Sequence, residues 1–201
     1  MGQFTHQWKE APRPRYLINI KDLESREKVP YYKDYYLGFR RIARSTDHRT
    51  LIGTIVPPHY CCAESITFIK NKLDHKTLCF ICGLVNSFVL DYFVRQKVSA
   101  NINMFHFLEI PLPRISSGRE FDAIVRKVAQ LVCTTDEFSE LKKETGVEHA
   151  LTGEADRNLV RVQLDAMVAN LYGITKKDME FILQQFPIVD QRQKELVLEQ
   201  F

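Results

Sequence analysis

The densest chemistry in this sequence lies in one cationic run, Phe39-Arg40-Arg41-Ile42-Ala43-Arg44-Ser45-Thr46-Asp47-His48-Arg49-Thr50. Arg40, Arg41, Arg44 and Arg49, with the hydroxyls of Thr46 and Thr50, supply the donors that grip phosphate oxygens. Arginine can also pair bidentately with guanine. In an extended strand Arg40, Ile42 and Arg44 share one face, and Arg41 and Ala43 the other. On residue chemistry alone two readings stay open: a nucleic-acid contact surface, or an exposed hairpin kept soluble by arginine. A second polar loop, Ser99 to His106, sets Asn101 and Asn103 beside Phe105. Asparagine can make a bidentate contact with adenine, but it also suits turns, and turn chemistry is the plainer reading of this loop in isolation.

Other reaction chemistry is hard to find. Val56-Pro57-Pro58-His59-Tyr60 is a near miss to the [D/N/S]-P-P-[Y/F/W] motif of amino-methyltransferases. There the first side chain accepts a bond from the target amino group and the ring stacks on the flipped base. Valine accepts nothing, and His59 stands where the ring belongs, so this Pro-Pro is expected to end a strand. No glycine-rich phosphate turn and no G-x-S-x-G elbow occurs. The six histidines never pair at metal-ligand spacing. Asp178-Met179-Glu180 lacks the following lysine that a metal-dependent nuclease would need. Cys79 and Cys82 invite a zinc reading, but they sit in the apolar run TLCFICGLV and are expected to be core thiols.

Charge divides the chain. Residues 1–119 hold 18 Lys and Arg against 10 Asp and Glu, a net +8, whereas residues 120–201 hold 10 against 15, a net −5. A basic half beside an acidic half points to a polyanionic partner for the first. Five cysteines without a disulfide framework, and an opening stretch without a signal-peptide core, favour the cytoplasm. The longest apolar run, Leu78 to Leu90, is too short for a membrane span.

These groups need elements to hold them. Residues 1–14 read as an irregular lead-in, Arg15 to Ile20 as a short strand, and Lys21 to Lys28 as a turn or short helix. Tyr36 to Arg44 and Thr50 to Val56 read as strands joined through Ser45-Thr46-Asp47-His48, and Ile66 to Lys70 as another strand. Lys76 to about Lys97 predicts one central buried helix. Phe107 to Ile115, with Pro111 and Pro113, reads as an edge strand. Beyond Gly118 the spacing turns helical: Phe121 to Val132, Asp136 to Glu144, Glu154 to Tyr172 with Gly173 as its stop, and Lys176 to Phe186 capped by Thr175 and Asp178. The fold class is therefore α+β. A basic strand-rich lobe (1–118) with a buried central helix precedes an acidic helical lobe (119–201), the two forming one compact domain.

Taken in order, FRRIARSTDHRTLIGTIVP (39–57), LVNSFVLDYFVR (84–95), NINMFHFLEIPLP (101–113) and LDAMVANLYGITKKDMEFILQQFP (164–187) resemble one family. It is the TaqI-like C-terminal specificity, or target-recognition, domain of restriction-modification N6-adenine DNA methyltransferases, as in fused type II methylase subunits and phage-defence enzymes. The likeness spans roughly residues 1–190. It implies a non-catalytic module that reads double-stranded DNA beside an N-terminal methyltransferase domain, with S-adenosylmethionine bound by that domain and no cofactor held by this chain. On this likeness Met1 is expected to begin a fragment. The resemblance puts Arg40, Arg41, Arg44, Thr46, Arg49 and Thr50 near DNA, with Asn101 and Asn103 as further candidates. Asn86 and Ser87 are expected to bond neighbouring backbone inside the helix, and Asp165 and Tyr172 to serve packing and capping. The competing expectation is a scaffold that docks a partner through apolar positions exposed on the helix from Glu154 to Tyr172.

Overall fold

A computed structural model describes residues 17–26, 31–70 and 73–201, and the architecture is α+β. Arg15 and Tyr16 of the expected first strand lie outside the described residues, as do the whole lead-in (1–14) and Glu27 and Lys28 of the expected turn or short helix. Leu17 to Asn19 are irregular and Ile20 opens a helix, α1 (Ile20–Arg26). The Asn19 side chain takes the Lys21 N–H at 3.0 Å, and its carbonyl takes those of Asp22 and Leu23. That cap chemistry overrides the β propensity of the preceding residues.

The sheet has three antiparallel strands in the order β2-β1-β3, with β1 (Tyr36–Arg40) central, β2 (Gly53–Val56) and β3 (Ile66–Phe68). Tyr36 pairs with Val56 and Arg40 with Ile66. The strands are shorter than the sequence predicts. After Arg40 the chain leaves β2, and Arg41 to Ala43 pair instead with residues 100–102. The Ile102 N–H donates to the Arg41 carbonyl at 2.7 Å, the Ala43 N–H donates to the Ala100 carbonyl at 3.2 Å, and Ile42 forms a bridge with Asn101.

The expected single buried helix is two, α2 (His75–Val85) and α3 (Phe88–Arg95), bent by 64°. Asn86 and Ser87 make the break. The Ser87 hydroxyl donates to the Leu84 carbonyl at 2.7 Å and accepts the Leu90 N–H at 3.3 Å, ending one helix and capping the next. The Asn86 amide donates to the carbonyls of Gly53 (3.0 Å) and Cys82 (2.8 Å) and accepts the Gly53 N–H at 3.2 Å. It thus serves the open edge of β2 as a strand would. The contact requires glycine, since a Cβ on Gly53 would sit 2.6 Å from Val85 Cγ2. No single described helix is long and apolar enough to cross a membrane; the bent pair reaches that length and hydropathy only together.

The expected edge strand Phe107 to Ile115 is instead a short helix, α4 (Met104–Leu108), followed by irregular chain. Asn103 caps it, with its backbone N–H donated to His106 Nδ1 at 3.1 Å. Phe107 then stacks on Phe39 with ring centroids 4.6 Å apart, so this residue is fixed by core packing and not by a ladder. The helices beyond Gly118 follow the apolar spacing: α5 (Arg119–Val132), a 3₁₀ turn (Asp136–Phe138), α6 (Ser139–Thr145), α7 (Glu154–Leu171) and α8 (Lys176–Gln184). Thr175 and Asp178 close the capping box on α8. A last helix, α9 (Gln191–Leu198), is capped by Asp190 and was not expected.

The core does not stop at the lobe junction. Phe80 of α2 meets Phe121 of α5 at 4.8 Å, both rings buried. Gly83 lets the two helices touch, because a Cβ there would lie 2.8 Å from Ile124 and 2.9 Å from Val128 side-chain carbons. Burial of each ring stabilises by about 1.5–3 kcal/mol, so the helical half is fastened to the sheet half through α2.

Candidate nucleic-acid interface

The arginine run forms a twelve-residue connection from β1 to β2, residues 41–52, and not a tight hairpin. Its turn is built from Arg44 to Asp47. The Arg44 carbonyl accepts the Asp47 N–H (3.1 Å) and the Thr50 hydroxyl (2.9 Å), while Asp47 Oδ2 accepts the Arg44 N–H (3.1 Å) and an Arg40 N–H (3.1 Å).

Behind the turn lies a buried charged network. Asp91, wholly buried on α3, accepts Arg49 Nε at 2.7 Å and the backbone N–H groups of Thr50 (3.1 Å) and Leu51 (3.2 Å). Arg49 also donates to the Asn86 carbonyl, and its guanidinium lies 4.1 Å from the Phe88 ring centre. One α3 turn further on, Arg95 donates to the carbonyls of Asp47 (2.6 Å) and Gln185 (3.1 Å) and covers the Phe186 ring at 4.0 Å. Burial lowers the Arg95 value, although Asp91 opposes this. Asp165 of α7 reaches the same region and accepts the Phe88 N–H at 2.7 Å, a carboxyl set at the N-terminus of α3. Burial pushes that carboxyl up to about 6, against the nearby Arg49 charge and the Phe88 bond.

The sequence-predicted contacts therefore separate. Arg40 turns inward, its guanidinium bonded to Asp47 and to the carbonyls of Arg49 and Thr50. Arg49 is held by Asp91, and Thr50 is 0% exposed with its hydroxyl spent on Arg44. For these three the expected DNA contact is replaced by a structural role, because Arg49 and Thr50 are committed to the Asp91 network and Arg40 to Asp47 and two carbonyls of the connection. Arg44, Thr46 and Asn101 are exposed, and Arg41 is half-buried with its guanidinium paired to Glu64. Arg44 is exposed and, among the described residues, its guanidinium makes no ion pair. Asn103 is half-buried at the cap of α4 and serves the turn role.

The Ile42–Asn101 bridge brings the two polar loops into one place. Arg41, Ile42, Glu64, Ser65 and Asn101 line a shallow depression of about 270 Å³. Sequence reasoning did not single out Asp91, Arg95 or Glu64. The first two carried a signal, since a carboxylate and a guanidinium four residues apart interrupt an otherwise apolar helix. Glu64 carried none. Asn86, Ser87, Asp165 and Tyr172 take the expected structural parts, the Tyr172 hydroxyl donating to the Pro111 carbonyl at 2.7 Å.

Away from the rim, three of the five cysteines are buried in the core, while Cys61 is exposed and Cys62 half-buried. The Cys82 and Cys133 thiols are pushed by burial up to about 12, and Cys79 is raised well above its ordinary value for the same reason. Burial thus favours the protonated thiol at all three positions, as expected for core cysteines. Among the described residues no cluster of three metal-ligating side chains exists. Pro57 and Pro58 follow the end of β2, and His59 is exposed at φ 67°. Comparison with known protein families, curated proteins and solved structures finds no match to this chain.

Proposed function

We propose that the chain is a double-stranded DNA recognition module that works beside an N6-adenine methyltransferase domain in a restriction-modification or phage-defence system of the bacterial cytoplasm. In this reading it is non-catalytic, and S-adenosylmethionine belongs to the methyltransferase domain. The observation that carries the proposal is the rim on which Arg41 and Asn101 stand on backbone pinned by the 41–43 and 100–102 pairing, with exposed Arg44 on the adjoining turn. Guanidinium groups supply phosphate and guanine contacts, and an amide supplies an adenine contact. The ordered resemblance to the specificity-domain family supports the same reading. Rigid backbone suits sequence reading, since a base edge is discriminated only by donors held in register.

Binding of a labelled duplex, followed by anisotropy between about 50 and 200 mM salt, tests it. The expected result is association at low salt that weakens steeply as salt rises, as counterion release requires. No association at low salt overturns the proposal.

A second reading, a partner-docking scaffold, finds little on α7, where Leu159 is the one large apolar side chain of the helix among those exposed. Its better support is Phe181 and Ile188, 55% and 60% exposed around the end of α8. Gel filtration with a candidate partner protein and duplex binding on the same chain separate the two: co-elution that Phe181→Ser abolishes, from a parent that binds no duplex, favours the scaffold.

A further inference from the structure

Arg41 shares its rim with a carboxylate. Glu64, 86% exposed at the side chain, reaches the Arg41 guanidinium, and among the described residues it has no other partner. Register holds the two together. The Arg41 N–H donates to the Ser65 carbonyl at 2.9 Å, so the residue after Glu64 is hydrogen-bonded across the sheet to Arg41 itself. Both side chains then line the same depression as Asn101.

We propose that Glu64 is a specificity-determining residue of the DNA-facing rim, reading cytosine while Arg41 reads the guanine paired with it. The inference rests on the rim being a DNA surface. In the major groove guanine presents the O6 and N7 acceptors and cytosine the N4 amino donor, so a guanidinium beside a carboxylate is complementary to one G·C pair. The same carboxylate repels phosphate. It therefore weakens binding to the sequence-independent backbone while leaving the base contact available. In free protein it neutralises Arg41 and keeps the guanidinium in place. An ion pair this exposed contributes little to stability, so exchanging it for a base pair costs little. Specificity obtained by penalising the wrong contact is the general solution when attraction alone is indiscriminate.

The test compares the full chain with Glu64→Gln, which keeps the shape and removes the charge. Two readouts are taken: affinity for a random-sequence duplex across salt, and the sequences selected from a randomised duplex pool. Glu64→Gln is expected to bind the random duplex roughly three- to tenfold more tightly at low salt, with a log–log salt slope steeper by about one. It is also expected to lose one G·C preference that the parent selects. Unchanged random-duplex affinity, with the parent still binding DNA, overturns the role of Glu64 and leaves the rim reading standing. Failure of both proteins to bind any duplex overturns the rim reading and this inference with it.

Discussion

Four arginines fall within ten residues here, and the fold uses them in two different ways. Arg40 and Arg49 point into the molecule, bonded to Asp47, Asp91 and loop carbonyls, while Arg41 and Arg44 face out. The inner pair makes the connection rigid; the outer pair presents charge on it. A loop of this length without its own ladder would otherwise be among the least stable parts of the molecule. Asp91 prevents that, because one buried carboxylate gathers a guanidinium and two backbone N–H groups from the loop. Asp91 of α3 holds Arg49 and Asp47 of the connection itself holds Arg40, which leaves Arg41 and Arg44 for the role proposed at the rim.

The sharpest way to break this contrast is to remove the inner anchor. Asp91→Ala removes the acceptor of the Arg49 Nε–H and of two loop N–H groups and leaves the Arg49 charge without its counter-ion. It is expected to cost about 3–5 kcal/mol in thermal or urea unfolding, with DNA binding lost alongside the fold. Stability within about 0.5 kcal/mol of the parent would show that the inner network is not an anchor. Gly83→Ala probes a different joint, the contact of α2 with α5, by driving a methyl group into Ile124 and Val128. An expected loss of about 1–3 kcal/mol in urea unfolding, as one cooperative transition, marks a shared core. Two separate transitions would instead divide the sheet half from the helical half.

A third effect depends on pH. His75 lies 2.9 Å from Asp34 and 2.8 Å from Glu144, tying the start of α2 to the chain just before β1 and to α6. Burial alone would lower the imidazole value, but the hydrogen bonds and charges of the two carboxylates outweigh it and raise it. The stability this contributes is fully present below the unfolded value near 6.5 and is lost as pH rises through the raised folded value. His75→Gln is expected to flatten melting temperature against pH in that window. An unchanged profile would remove His75 from the account.

How far the sequence spoke for itself differs across the same divide. Apolar spacing at three and four residues located α5, α7 and α8, because amphipathic helices carry their packing in their period. The break at Asn86–Ser87 was hidden. Apolar residues run on through it, and the reason for it, an amide completing the edge of β2, lies far away in sequence at Gly53. FLEIPLP misled as a strand since its first two residues end a capped turn of helix packed on Phe39 and the rest is irregular chain. At the rim, residue type announced donors but not their direction. Arg40 and Arg41 are neighbours with opposite fates, and only the positions of Asp47 and Glu64 decide which. Arg44→Ala alone should therefore leave unfolding within about 0.5 kcal/mol of the parent.

The most direct test of the division is the double variant Arg41→Ala/Arg44→Ala, with duplex binding measured across salt and thermal unfolding measured on the same protein. The melting temperature is expected to stay at that of the parent while the log–log salt slope falls by about two. Parent-like affinity and slope in a folded double variant would contradict the assignment of the outer arginines to DNA.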